Sequence, residues 1–125
     1  MKFLIDEEDL EIILEGKEKA FALKHKIIVT AHSVVNVEWV SGTVNTWRLS
    51  GLRAPGTGLP GVFYAGSFYR KSGWEFWYLR VRKPGYVIIT TNLKRYHVLR
   101  ISVSEEQAQK IQTWFSNYKH TGRVA

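Results

Sequence analysis

Side chains of the kinds that perform chemistry are few in this sequence and are not gathered. Its four histidines, His25, His32, His97 and His120, are scattered along the chain. General acid–base or metal chemistry needs such groups within reach of one another. The chain has no H-x-x-x-H pair, no G-x-S-x-G elbow and no close pair of carboxylates on the scaffold. His97 falls at a core-facing strand position and is expected to be a hydrogen-bonded structural residue. Gly56-Thr57-Gly58 is not followed by G-K-[ST], so it reads as a turn and not as a phosphate cradle. The adjacent Glu105 and Glu106 belong to the start of a helix. The absence of cysteine excludes disulfides, thiolate metal sites and a cysteine nucleophile. The expectation is a chain that is not an enzyme and uses neither metal nor cofactor.

What remains is the chemistry of charge and of aromatic surface. Basic pairs sit at three turns: Arg70 with Lys71, Arg82 with Lys83, and Lys94 with Arg95. Alternate turns of a meander emerge at opposite ends, so Arg70, Lys71, Lys94 and Arg95 are expected together as an anion- or lipid-contacting rim. Each cation near an anionic membrane contributes ~1 kcal/mol, and four give only about millimolar affinity. Useful binding then needs a shaped pocket, inserted aromatics or several copies. The bland alternative is that the loops are merely polar. A second candidate is the set Trp74, Phe76, Tyr78, Arg80 and Arg82, which share the outward face of one strand. Aromatics beside arginines suit a protein interface, or a stacking platform for single-stranded nucleic acid. The competing expectation is that a bent sheet, or the loop of residues 44–59, covers this face.

The charge is uneven. Net charge is +7 over 125 residues, yet residues 1–18 hold seven acids against two lysines, and the remainder holds sixteen basic residues against four acids. A cationic body attracts acidic protein, nucleic acid or anionic headgroups, although charge alone names no partner and also serves solubility. The acidic segment reads as a solvated end or as an internal counterion to the body. No apolar run approaches the ~20 residues of a membrane-spanning helix. Met1-Lys2-Phe3-Leu4-Ile5 runs straight into four acids and is not a signal peptide. The expected location is cytoplasmic, including the inner face of the membrane.

The elements that must position these residues follow from punctuation. The length suits a single domain over residues 1–125. Residues 10–14 read as a strand turning at Gly16-Lys17, with helical spacing of Leu10, Ile13 and Leu14 as the competing pattern. Residues 26–30 and 34–40 read as strands about a turn at 31–33, with Val35, Val37 and Trp39 on one face. Residues 44–53 suit an edge strand. A Gly- and Pro-rich loop then leads to strands at 62–69, 74–81, 86–91 and 96–103, separated by Arg70–Gly73, Lys83-Pro84-Gly85 and residues 92–95. Trp77, Leu79 and Val81 are expected in the core. Gly66 marks a bulge, a bend or close packing. Ser104 and Gln107 form a capping box, and Ala108, Ile111, Phe115 and Tyr118 make one apolar stripe flanked by Trp114. The helix is expected over 105–118, stopped by Gly122.

The succession Pro55-Gly56-Thr57, Pro60-Gly61, Gly66-Ser67-Phe68, Phe76-Trp77, Val87-Ile88-Ile89, and Ser102-Val103 before a helix resembles a bacterial pleckstrin-homology-like domain family, over about residues 25–118. The resemblance implies a mainly β fold: a bent antiparallel barrel of about seven strands with a C-terminal amphipathic α-helix. It implies a non-catalytic binding or scaffold module that self-associates or recruits a protein. Contact with an anionic membrane surface is the extension of that reading. A nucleic-acid binder and a small-molecule carrier are the alternatives.

Overall fold

The computed structural model describes residues 2–16, 26–42, 57–59, 63–70, 73–80, 85–93 and 96–121. These hold nine strands and one α-helix: β1 (Lys2–Ile5), β2 (Asp9–Ile13), β3 (Lys26–Thr30), β4 (Val34–Ser41), β5 (Thr57–Leu59), β6 (Phe63–Arg70), β7 (Gly73–Arg80), β8 (Gly85–Thr91), β9 (Val98–Ser102) and α1 (Glu105–Thr121). The strands make an antiparallel three-stranded sheet, β1-β2-β3, and a six-stranded sheet in the order β4-β8-β9-β7-β6-β5. The protein is mainly β, and among the described residues no ladder closes the two sheets into a barrel.

The hairpin expected about Arg70–Gly73 is present, with Arg70 opposite Gly73 and Phe63 opposite Arg80. The pairing of β8 with β9 across residues 92–95 is present too, but the place of β7 beside β8 needs correction. Punctuation by Pro84-Gly85 implies that β7 and β8 are neighbours, but β9 lies between them. It runs antiparallel to β8 and parallel to β7, with Glu75 beside Val98 and Tyr78 beside Ile101. The reason is burial on both sides. Leu99 and Ile101 are buried in the main core on one face, and on the other Val98 is buried and Arg100 reaches Glu75 of β7; a strand covered on both faces is more stable inside a sheet than at its edge.

One face of the large sheet carries the main core. Ala65, Phe76, Tyr78, Val87, Ile89, Leu99 and Ile101 meet Leu10, Ile12, Ile27 and Val29 of the small sheet and Ala108, Ile111, Trp114 and Phe115 of α1. The helix begins as its sequence signals. Gln107 N–H donates to Ser104 Oγ (3.1 Å) and Ser104 N–H to Gln107 Oε1 (3.0 Å), a reciprocal capping box. It runs to Thr121, three residues past its expected end. The strand expected at residues 10–14 is present as β2, and one strand, β4, departs from expectation. The competing helical pattern of residues 10–14 gives way to β2, whose burial alternates. In β4 the register shifts between Val34 and Asn36, so Val35 is exposed while Val37 and Trp39 still pack on the core. Residues 17–25, 43–56 and 60–62 lie outside the described residues, and with them the strand expected at 44–53, the turn at Lys17 and Gly122 at the helix end.

Gly85, the first residue of β8, shows how tightly the sheet is closed at that end. A Cβ there would lie 2.5 Å from Trp39 Cη2 and 2.5 Å from the Val40 carbonyl oxygen. The indole of Trp39 occupies the space a side chain would need, and the carbonyl cannot move without breaking the β4–β8 ladder. Gly85→Ala is therefore expected to lower stability by about 1–3 kcal/mol, the range for overpacking, read as a lower urea midpoint with an unchanged m-value.

Candidate functional site

Of the residues singled out by the sequence, two of the aromatics are inside the molecule. Phe76 is 0% and Tyr78 5% exposed, and both belong to the main core. The face expected to point outward thus points inward. The reason is that β7 lies under α1 and the small sheet. Trp74 is half-buried and meets Tyr69 edge-on at 5.5 Å, while Arg80 is exposed and holds β9 through its N–H to Ser102 Oγ (2.8 Å). Arg82 lies outside the described residues. Of the cationic rim, Arg70 ends β6; its side chain, and Lys71, Lys94 and Arg95, are likewise outside them. The backbone flanking these residues does share one end of the sheet. His97 N–H donates to the Trp74 carbonyl (2.8 Å), close to where Arg70 pairs with Gly73. Buried Thr91 fixes the same end, donating through Oγ1 to the Tyr96 carbonyl (2.6 Å) and accepting from Leu93 N–H (3.1 Å).

The other face of β7 holds Trp77 and Leu79, expected as core, in a second cluster with Phe68 and Tyr86. Trp77 lies opposite Gly66, which has a positive φ of 115°, and its ring sits 5.3 Å from Phe68. Beside this cluster is the one charged side chain among the described residues that is fully buried: Glu75, 2% exposed. Its Oε1 accepts from Trp77 Nε1 (2.8 Å) and from Arg100 Nε (3.1 Å), and the Arg100 guanidinium carbon lies 5.5 Å from the centroid of the Trp77 ring. A carboxylate so matched by a cation and an indole N–H is a structural group, with no nucleophile or second acid in the cluster. Removing it strands Arg100 and the indole N–H. Glu75→Ala is expected to cost about 3 kcal/mol. Glu75→Gln, whose amide oxygen can still accept both bonds, should cost about half of that. Urea denaturation of the two variants checks the order.

A concave site lies elsewhere, between α1 and the β1–β2 turn. The turn is built by Asp6, whose Oδ1 accepts from Glu8 N–H (3.0 Å) and Asp9 N–H (3.1 Å), and it is pinned to the body by Ala31 N–H donating to the Glu8 carbonyl (2.7 Å). Ile5, Asp6, Glu7 and Glu8 form one wall of an open groove of about 1110 Å³. The opposite wall is one helical face, with Glu106, Lys110, Thr113, Trp114, Asn117 and Tyr118 at spacings of three and four. The groove is acidic. Among the described residues that line it, Asp6, Glu7, Glu8 and Glu106 face one cation, Lys110, whose Nζ is 3.8 Å from Glu106. Trp114 is 5% exposed, and its buried Nε1 has no hydrogen-bond partner among the described residues.

The sequence reading passed over this groove. It treats the acids as a solvated end or a counterion, and Trp114 as a residue flanking the packing stripe. The available signal was that Trp114 lies one position off the stripe while Thr113 and Asn117 beside it are polar. Among the described residues no cluster of three or more His, Asp or Glu could hold a metal, and no helix is long and apolar enough to cross a membrane. Comparison with protein-family models, curated proteins and solved structures finds no match to this chain.

Proposed function

We propose that the chain is a non-catalytic binding module that recruits a protein through the groove between α1 and the β1–β2 turn. The observation that carries this reading is the groove itself: an open concavity of about 1110 Å³ with the acidic turn as one wall and Thr113, Trp114 and Tyr118 of the helix in the other. The strand-rich order ending in a helix packed on a sheet agrees with the pleckstrin-homology-like resemblance. The parallel β7–β9 ladder departs from the all-antiparallel barrel which that resemblance implies, so the proposal leans on the groove and not on the family.

The alternatives lose support from the same geometry. Stacking of nucleic acid needs Phe76 and Tyr78 on the surface, and both are interior. A carrier needs an internal cavity, and the space near Ile27, Val29, Thr91, Tyr96 and Leu99 is about 240 Å³, smaller than the ~300 Å³ at which ligand pockets begin. Contact of Arg70, Lys71, Lys94 and Arg95 with an anionic membrane rests on charge alone.

A photo-crosslinking side chain placed in the cell at Thr113, in the groove, is compared with one at Ile28, exposed on the small sheet far along the chain from α1. The expected result is a discrete adduct with a second polypeptide from position 113 and none from position 28. No adduct at 113, or the same adducts from both positions, overturns the proposal.

A further inference from the structure

Resting on that reading, we infer that the segment received by the groove is basic: a short extended stretch of a partner protein carrying lysine or arginine beside apolar residues. Three observations converge. First, the wall formed by the turn offers carboxylates that the fold does not consume. Asp6 spends one oxygen on the turn, but Glu7 and Glu8 are exposed and have no ion-pair partner among the described residues. Second, the sign of the groove is opposite to that of the chain as a whole, which carries +7. A cationic segment is repelled by most of this protein and attracted here, so the field both steers and discriminates. Third, the helical wall suits such a segment. Tyr118, half-buried in this wall, offers its ring to an ammonium or guanidinium group, and the exposed hydroxyl of Thr113 can donate to a main-chain carbonyl. The helix rises about 18 Å from Glu106 to Tyr118, a length that an extended chain covers in about six residues.

The probes are three blocked eight-residue peptides: one alternating lysine with leucine and alanine, and two in which glutamine or glutamate replaces the lysines. Each is titrated into the 15N-labelled full chain. The indole N–H resonance of Trp114 is identified by its loss in Trp114→Phe. The expected result is that the lysine peptide shifts this resonance and the amides of residues 6–8. Its affinity should fall about tenfold between low and moderate salt, and at least about tenfold in Glu7→Lys/Glu8→Lys. That double variant leaves the Asp6 hydrogen bonds of the turn in place, and its unchanged denaturation midpoint checks the fold. Equal binding of the glutamine or glutamate peptide, or no shift at the groove with any peptide, overturns the inference. So does salt-sensitive dimerisation of the free chain that Glu7→Lys/Glu8→Lys abolishes, because the occupant is then a second copy. The two levels separate through the Thr113 crosslink. If its adduct persists unchanged in Glu7→Lys/Glu8→Lys, protein recruitment stands and the basic-segment inference falls; if it never forms, the recruitment reading itself falls.

Discussion

A strand that is apolar at successive positions cannot lie against water on either side, and β7 is such a strand. Phe76 and Tyr78 enter one core, Trp77 and Leu79 the other. Both faces of the sheet must therefore be covered around it, and the covering elements are placed by that need. On the Phe76 side the cover is α1 together with the small sheet. On the Trp77 side the sheet carries Glu75, and a charge so deeply placed is tolerable only with a counterion of its own. That counterion comes from β9. The Glu75–Arg100 pair spans the parallel β7–β9 ladder, so the electrostatic requirement of one strand helps to select its neighbour.

The groove is a by-product of this arrangement. The N-terminal hairpin and the C-terminal helix come from opposite ends of the sequence, and both are drawn over the same face of the large sheet. Where they part, the cover is incomplete, and polar residues of the helix face the acidic turn across open space. Ala31 N–H on the Glu8 carbonyl and the Asp6 side chain inside the turn hold one wall. The capping box and the packing of Ile111 and Phe115 hold the other. Two walls held independently make a concavity that needs no ligand to form it, and such preorganisation lowers the ordering cost of the binding proposed above.

Local features of the sequence were legible. The capping box, the helix stripe, the turn at Arg70–Gly73 and strands β3, β6, β7 and β8 follow from spacing and punctuation, because each depends on residues close together in the chain. Strand neighbours were not legible. Pro84-Gly85 signals a reversal but not the partner, and the insertion of β9 depends on burial that no turn encodes. Trp77 and Leu79 are buried as the spacing predicts, but the opposite face of β7 is buried as well. Alternation separates two sides, but when both are apolar it cannot say which is core, and the arginines bias the choice outward. The short strand β1 escaped notice because Phe3, Leu4 and Ile5 are too few to show a period. The groove escaped with it, since a concavity between distant segments has no local signature.

The place of β9 has a consequence for how the chain assembles. Until residues 98–102 leave the ribosome, β7 and β8 have no strand between them, so the central ladders cannot form while most of the chain is already exposed. Pairings of such long sequence separation are slow to close, and the waiting edges of β7 and β8 are sticky. Synthesis from the N-terminus can therefore pair β5, β6 and β7, and β4 with β8, as two separate pieces, and β9 is the strand that joins them into one sheet.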